Sequence, residues 1–395
     1  MIYADNAAST PISPSVAETV TKYMNQVCAN PSSLHTAGKI AAQALFEARN
    51  TIADCLGCTP REIYFTSGGS EADNQALRSA AAAGKAAGKR HIISTAFEHH
   101  AVLNTLKGLS EQGFEVRLLD VSENGLVTPR QVENALREDT CLVTVMYANN
   151  EVGTILPVAE IAALCRRQGV IFHTDAVQAA GHLPLHVRNN SIDMLSLSAH
   201  KFHGPKGAGV LYARKGVPLE SLILGGPQER GKRAGTENIP AIMGMAQALK
   251  EACLDMTQTA EKEKALRDRI IQGLSRIPHS ILNGDAHNRL SGNVSFCFEG
   301  VEGESLLLLL DKQGICASSG SACTSGSLEP SHVLLALGRN REIARGSLRL
   351  TLSKYNTPQE AECIVKTVTQ LVEYLRSRSP LWLDKLSGNK PFILP

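Results

Sequence analysis

A chain of 395 residues is longer than one hydrophobic core usually grows, so a large domain with a smaller companion is expected. Its 43% hydrophobic and 20% charged residues are ordinary for a globular protein, and 40 Lys and Arg against 38 Asp and Glu leave a formal charge of +2. That balance is too near neutrality to make nucleic acid or an anionic membrane the expected partner. The start, MIYADNAAST, has no basic region followed by an apolar one, and apolar runs such as 306–310 are far too short to cross a bilayer. The cytoplasm is therefore the expected compartment, and most of the ten cysteines are expected to be reduced core residues.

Apolar segments of strand length alternate with amphipathic segments of helix length over most of the chain. Strands are expected at 63–66, 91–94, 116–119, 142–146, 170–173 and 194–197. Helices are expected at 41–53, 72–87, 100–112, 129–136 and 158–168. Near-continuous apolar strands separated by helices imply an α/β fold with a large, mostly parallel sheet covered on both faces. This unit is assigned to 13–255.

After about 255 the pattern changes. A charged helix at 259–274 precedes an alternating strand at 293–298 (NVSFCF), a helix at 303–312 and a short strand at 315–317. A second alternating strand is read at 347–352. A last helix is opened by Thr357, Pro358 and Glu360 as N-cap, N1 and N3. These elements, with 1–12, are assigned to a smaller α+β domain, 1–12 and 256–395. Between 315–317 and 347–352 lies ASSGSACTSG, 317–326, a segment of small residues around a single thiol, Cys323.

Ligands of open parallel sheets sit at the C-terminal ends of the strands, so the polar residues there carry the functional question. The first strand runs into TSGGSEADN, 66–74, where Gly68, Gly69 and Ser70 open a helix. Backbone N–H groups there suit a phosphate, although such turns are also common without a ligand. The strand at 170–173 leads to Asp175 and, one helical turn on, Gln178. A carboxylate there is either a solvated cap or the partner of a protonated ring nitrogen. The strand at 194–197 delivers Ser198, His200 and Lys201; the lysine is either a surface group or one that forms a Schiff base with a carbonyl. YANNEVGT, 147–154, presents Asn149 and Asn150, and FEHHAV, 97–102, presents His99, which is either structural or stacked on a flat ring.

No HExxH and no paired CxxC spacing supports a metal site. The one CxxC, Cys55–Cys58, follows a helix whose stop is expected at Gly57. A phosphate turn, an aspartate, a lysine, a histidine and side-chain amides at one sheet edge are together the requirements of pyridoxal phosphate.

With these residues in view, the chain resembles the cysteine desulfurases of the NifS/IscS type. They belong to the class-V aminotransferases within the fold-type-I, aspartate aminotransferase-like, pyridoxal phosphate enzymes. The resemblance runs through ADNAAST at 4–10, NPSSLHTAG at 30–38, TSGGSEADN at 66–74, EHHAV at 98–102, ANNEVGT at 148–154, DAVQAAG at 175–181, SAHKFHGPKG at 198–207, GGPQERGKRAGTEN at 225–238 and SSGSACTSGSLEPSHV at 318–333. Ala199 stands where the family usually has Gly, and the long SSGSACTSG segment replaces the compact loop of a sister group.

The resemblance implies removal of sulfur from L-cysteine, release of L-alanine, and a persulfide on Cys323. Lys201 matches the lysine that holds the cofactor's aldehyde. Gly69, Ser70, Ser198 and His200 match its phosphate partners. Asp175 matches the partner of the ring nitrogen, Gln178 that of the ring hydroxyl, and His99 the stacking histidine that also moves protons. Asn150 and Arg349 match the groups that hold the substrate carboxylate; Asn150 also borders the cofactor. Thr236 matches a residue reaching the phosphate of a neighbouring subunit, which implies a homodimer. The persulfide is expected to pass to an iron–sulfur scaffold or another acceptor protein. Nitrogenase maturation, general iron–sulfur assembly and tRNA thiolation all stay open. So do selenocysteine lyase, desulfinase and aminotransferase activities on the same fold. A reading from another class makes the chain a carrier without pyridoxal phosphate, using Cys323 as a transient iron–sulfur ligand.

Overall fold

A computed structural model describes residues 1–319 and 329–395, so Cys323 lies outside the described residues. The strands are β1 (Ile2–Tyr3), β2 (Ile63–Thr66), β3 (His91–Thr95), β4 (Glu115–Leu119), β5 (Thr140–Thr144), β6 (Ile171–Asp175), β7 (Met194–Ser198), β8 (Gly209–Ala213), β9 (Ser280–Leu282), β10 (Asn293–Phe298), β11 (Ile315–Cys316) and β12 (Ser347–Thr351). Seven of them form one sheet in the order β2-β8-β7-β6-β5-β3-β4. Its pairings are parallel except at β8, which runs antiparallel to both β2 and β7. The fold is α/β of fold type I, with a large, mostly parallel sheet.

Strands β3, β5, β7 and β8 are buried at every position, which accounts for their near-continuous apolar character. One face packs on a cluster that includes Phe65, Val143, Phe172 and Leu197, and the other on a cluster that includes Ile92, Leu142, Met194 and Leu211. Alternate residues of each strand thus serve opposite layers. The strand expected at 142–146 is shifted to Thr140–Thr144, because Thr140 and Cys141 are as buried as the apolar residues after them. The expectations omitted β8 altogether.

A three-stranded antiparallel sheet, β12-β10-β9, packs on a third cluster with Leu266, Ile270, Val294, Phe296 and Leu350. A two-stranded parallel ribbon pairs Ile2 with Ile315 and Tyr3 with Cys316. Cys316, without an assigned chemistry in the sequence, is thus a strand residue beside the chain's start.

The charged helix expected from 259 is the second half of a 36-residue helix, Ile239–Leu274. Its first half contributes Ile242, Met245 and Leu249 to the core beneath the large sheet; its second half contributes Leu266, Ile270 and Leu274 to the other. Residue 255 therefore lies inside a continuous helix. The final helix, Pro358–Ser377, opens with the expected capping box of Thr357 and Glu360. Among the described residues no helix is long and apolar enough to cross a membrane.

Candidate active site

β2 ends at Thr66, and the chain turns through Ser67 and Gly68 into the helix Gly69–Ala86. The turn needs its glycines because neighbours crowd it. A Cβ on Gly69 would lie 2.5 Å from Val177 Cγ2, and one on Gly209 of β8 would lie 2.6 Å from Gly68 Cα. No side chain caps this helix, so its first N–H groups remain available to an anion. Glu71, in the first turn, is engaged by Ser67 N at 2.9 Å and by Arg233 at 2.9 Å. Ser198 Oγ would lie 3.5 Å from a Cβ on Gly68, and Ser70 is exposed at the helix start. This uncapped, glycine-lined cradle fits the phosphate of pyridoxal phosphate.

β6 ends in Asp175, whose Oδ1 accepts Val177 N–H at 2.9 Å. Burial pushes its carboxyl up, while His99 and Lys201 nearby pull it back down. Two residues earlier on the same face, His173 meets Thr144 Oγ1 at 2.9 Å and Ser196 Oγ at 3.0 Å. Burial pushes His173 down to about 3, so it is neutral. Asp73, which is 1% exposed, is raised by burial and by the charge of Asp175. A buried carboxylate served by one amide, above a neutral polar layer, fits a protonated ring nitrogen.

β7 passes into the turn Ala199–Lys201. Lys201 Nζ donates to Ala7 O at 2.6 Å and Ala8 O at 2.8 Å. Gln178 Nε2 donates to the same Ala7 O at 3.0 Å. His200 Nδ1 stands 3.2 Å from Ser9 Oγ, and its carbonyl accepts Thr10 N–H at 2.9 Å. Burial first, then Lys201 and Lys206, pushes His200 down to about 4. The ADNAAST segment is thus the wall against which Lys201, Gln178 and His200 are placed.

His99 is the N-cap of the helix His100–Glu111. Its Nδ1 accepts Ala101 N–H at 3.1 Å, and a backbone amide can only donate. The neutral ring therefore carries its proton on Nε2. Burial lowers its proton affinity, opposed by Asp175.

The two asparagines divide their tasks. Asn149 is fully buried and folds its own turn, accepting Glu151 N–H at 2.8 Å and Val152 N–H at 3.0 Å and donating to Phe97 O at 3.0 Å. Asn150 lends its backbone carbonyl to Arg349 Nη1 at 3.2 Å. Arg349, on β12 and 3% exposed, also reaches Asp5 Oδ1 at 3.0 Å, while its Nε has no hydrogen-bond partner. A guanidinium so placed can grip a carboxylate.

The structure brings Gly69, Ser70, His99, Asn150, Asp175, Gln178, Ser198, His200, Lys201 and Arg349 to the strand-end edge of the large sheet and the adjoining β12. Thr236 is exposed on the segment before the long helix. Sequence reasoning missed Asp5, the carbonyls of Ala7 and Ala8, and Glu98. Glu98 is fully buried and pushed up to about 8 by burial. Asp5, Ala7 and Ala8 lie in a quoted motif, but only the fold shows what they touch.

Gly57 caps its helix in the left-handed conformation at φ 67, and burial pushes the Cys58 thiol up to about 12, the direction of an unreactive buried thiol. Among the described residues no group of three His, Cys, Asp or Glu could hold a metal ion.

Fold and cradle together define a pyridoxal phosphate enzyme of fold type I. The aminotransferase class-V family model matches residues 2–364, and the chain belongs to that family. A cysteine desulfurase IscS of Methanosarcina thermophila is 50% identical over 380 residues, covering 96% of this chain and 94% of the relative. A solved NifS-like protein superposes with a TM-score of 0.89 at 38% identity, covering 94% of this chain and 99% of its own. A structure titled SspA in complex with cysteine superposes with a TM-score of 0.80 at 36% identity, covering 90% and 100%.

Proposed function

We propose that this chain is a pyridoxal phosphate-dependent cysteine desulfurase that takes sulfur from L-cysteine, releases L-alanine and keeps the sulfur as a persulfide on Cys323. The observation that carries the reading is the convergence of Lys201, Asp175 and His99 beside the uncapped cradle at Gly69, with Arg349 across from them. Its relatives of high identity are named cysteine desulfurases.

When bound, pyridoxal phosphate supplies an electron sink for the charge that forms at the substrate Cα. Gly69, Ser70, Ser198 and His200 would hold its phosphate, Gln178 would face its ring hydroxyl, and Asn150 would border it. Asp175 would set a negative charge against the ring nitrogen. Arg349 and the Asn150 turn bind the substrate carboxylate, which fixes the Cα–H bond relative to Lys201. Lys201 Nζ takes and returns the proton at Cα. His99, its proton on Nε2, would border the cofactor ring and manage the proton of the incoming thiol. Cys323 attacks the substrate sulfur as a thiolate. One S–S bond forms, the C–S bond breaks, and its electron pair passes to the substrate Cβ, which is protonated to give alanine. L-Cysteine plus the Cys323 thiol thus become L-alanine plus the Cys323 persulfide.

We read 13–255 as the cofactor domain and 1–12 with 256–395 as the smaller domain that bears Cys323, the long helix belonging to both cores. The chain acts as a homodimer in which Thr236 reaches the neighbouring phosphate. An iron–sulfur scaffold or another sulfur-acceptor protein takes the persulfide. We place its work in the cytoplasm, where a thiol such as that of Cys323 stays reduced.

The visible spectrum of the purified protein tests the reading first: a bound cofactor absorbs, and Lys201→Ala removes the lysine-bound band. Cys323→Ser is expected to keep that band and to abolish persulfide and alanine formation. Full activity in Cys323→Ser sinks the assignment of the nucleophile. Alanine yields from cysteine, selenocysteine and cysteine sulfinate decide the substrate, and cysteine is expected to dominate.

A further inference from the structure

The residues just after 320–328 are tied to the two turns that present His99 and Asn150. Ser331 begins the short helix His332–Ala336, and its Oγ accepts Val333 N–H at 3.1 Å and Leu334 N–H at 3.3 Å. With both amides as donors, its hydroxyl proton is left for the buried Glu151 carboxylate, 2.5 Å away. Glu151 follows Asn150 directly. His332 Nε2 lies 2.9 Å from the carbonyl of Glu98, and a carbonyl can only accept, so this nitrogen carries the ring proton. Glu98 precedes His99 directly. The His332 ring also packs on His100, with centroids 4.6 Å apart. On the other side of 320–328, Ser318 exchanges two backbone hydrogen bonds with Arg349, at 2.6 and 3.1 Å.

We propose that Ser331 and His332 are positioning residues of the sulfur-transfer step, holding the chain beyond Cys323 to the turns that carry Asn150 and His99. The inference rests on the reading of Cys323 as the nucleophile. Neither side chain touches the reacting atoms. Each acts through a turn, Ser331 through Glu151 and His332 through the Glu98 carbonyl. The two ties fix the chain from 331 onward to the turns whose groups orient the substrate. A small displacement of a nucleophile costs a large factor in rate, so loss of either tie is expected to act on transfer more than on substrate binding.

Ser331→Ala and His332→Phe, made in the holoenzyme, test this. A single turnover with L-cysteine is expected to form the Cys323 persulfide about tenfold or more slowly in either variant. The concentration of L-cysteine that half-saturates the change in cofactor absorbance should move less than about twofold. Ser331→Thr and His332→Gln, which keep the hydroxyl and the N–H donor, should restore most of the rate. In the apoprotein, the rate at which iodoacetamide alkylates Cys323 should change in the alanine and phenylalanine variants and return in the conservative ones. Unchanged persulfide and alkylation rates overturn the proposal. So does an equal loss in binding and rate that the conservative variants fail to rescue, because that is a general loss of structure. Cys323→Ser separates the two levels. A persulfide surviving that substitution refutes the nucleophile itself, whereas its loss, with Ser331→Ala and His332→Phe unaffected, refutes only the positioning roles.

Discussion

Arg349 Nη2 stands 3.0 Å from Asp5 Oδ1, so a residue of β12 is held by one from the start of the chain. The pair sits with Arg349 almost wholly buried, and the Asn150 carbonyl takes a second N–H. The guanidinium is therefore oriented before any substrate carboxylate arrives. Replacing it with an ammonium keeps the charge and loses the fork. Arg349→Lys is expected to raise KM for L-cysteine by about tenfold to a hundredfold, about 1.4 to 2.8 kcal/mol. Steady-state kinetics with the cofactor spectrum as a control measures it, and a KM within twofold of wild type would contradict the role.

Glu98 gives a pH signature to stability. Its Oε1 accepts Thr95 Oγ1 at 2.7 Å and Met146 N–H at 2.9 Å, while its buried Oε2 has no partner. Burial raises its carboxyl from 4.5 to about 8. The folded state then binds a proton that the unfolded state has released, so its contribution is complete below about pH 4.5 and is lost as pH rises towards 8. Glu98→Gln places an N–H where the acid carries its proton. The variant should gain on the wild type as pH rises through that window, by up to about 1.4 kcal/mol per pH unit. Urea denaturation of the apoprotein from pH 5 to 8 reads the difference. A constant gap between the two proteins would mean that Glu98 is ionised throughout.

Gly209 lies against the phosphate cradle. A Cβ there would be 2.6 Å from Gly68 Cα and 2.8 Å from Leu197 O, and backbone atoms cannot step aside as side chains do. Gly209→Ala should cost about 1–3 kcal/mol of stability and shift the turn. Release of pyridoxal phosphate on dialysis is expected to quicken along with a fall in Tm. Normal retention would show that the cradle does not depend on this approach.

Glu229 anchors the segment that carries Thr236. It is 5% exposed, pairs with Arg49 at 2.5 Å and accepts Phe65 N–H at 3.0 Å, with its backbone in the left-handed region at φ 46. Removing one partner of a buried pair strands the other. Glu229→Ala is expected to destabilise the protein by about 3–5 kcal/mol. If the segment serves a dimer, sedimentation at micromolar concentration should also show more monomer; a loss of stability with an unchanged oligomer would confine the effect to the anchor.

The sheet was largely legible in the sequence because buried parallel strands are apolar throughout and the helices between them are not. β8 was missed, since GVLYA follows a Gly- and Pro-rich turn and looks like part of it. The long helix was read only from its charged half. Its first half is apolar and packs in the large core, so nothing in the local pattern marks 255 as interior to one helix. Of the site, Lys201, Asp175 and the Gly68–Gly69 turn announce themselves by standing at strand ends. Asp5, Glu98, Ser331 and His332 do not, because each gains its meaning from a partner distant in the chain: Asp5 from Arg349, Ser331 from Glu151, and Glu98 and His332 from each other.

Residue types and their places in the pattern were enough to name the chemistry available: a lysine, an aspartate, a histidine and a phosphate turn at strand ends, and a thiol in a segment of small residues. Strand length, glycine placement and residue type are local properties, and they survive without coordinates. How those groups are held is a property of the folded chain. Lys201 rests on the carbonyls of Ala7 and Ala8, Arg349 rests on Asp5, and Ser331 and His332 are bonded to the Glu151 and Glu98 turns. These are contacts between segments distant in the chain. Their geometry follows from how two cores pack around one long helix, which no local pattern encodes.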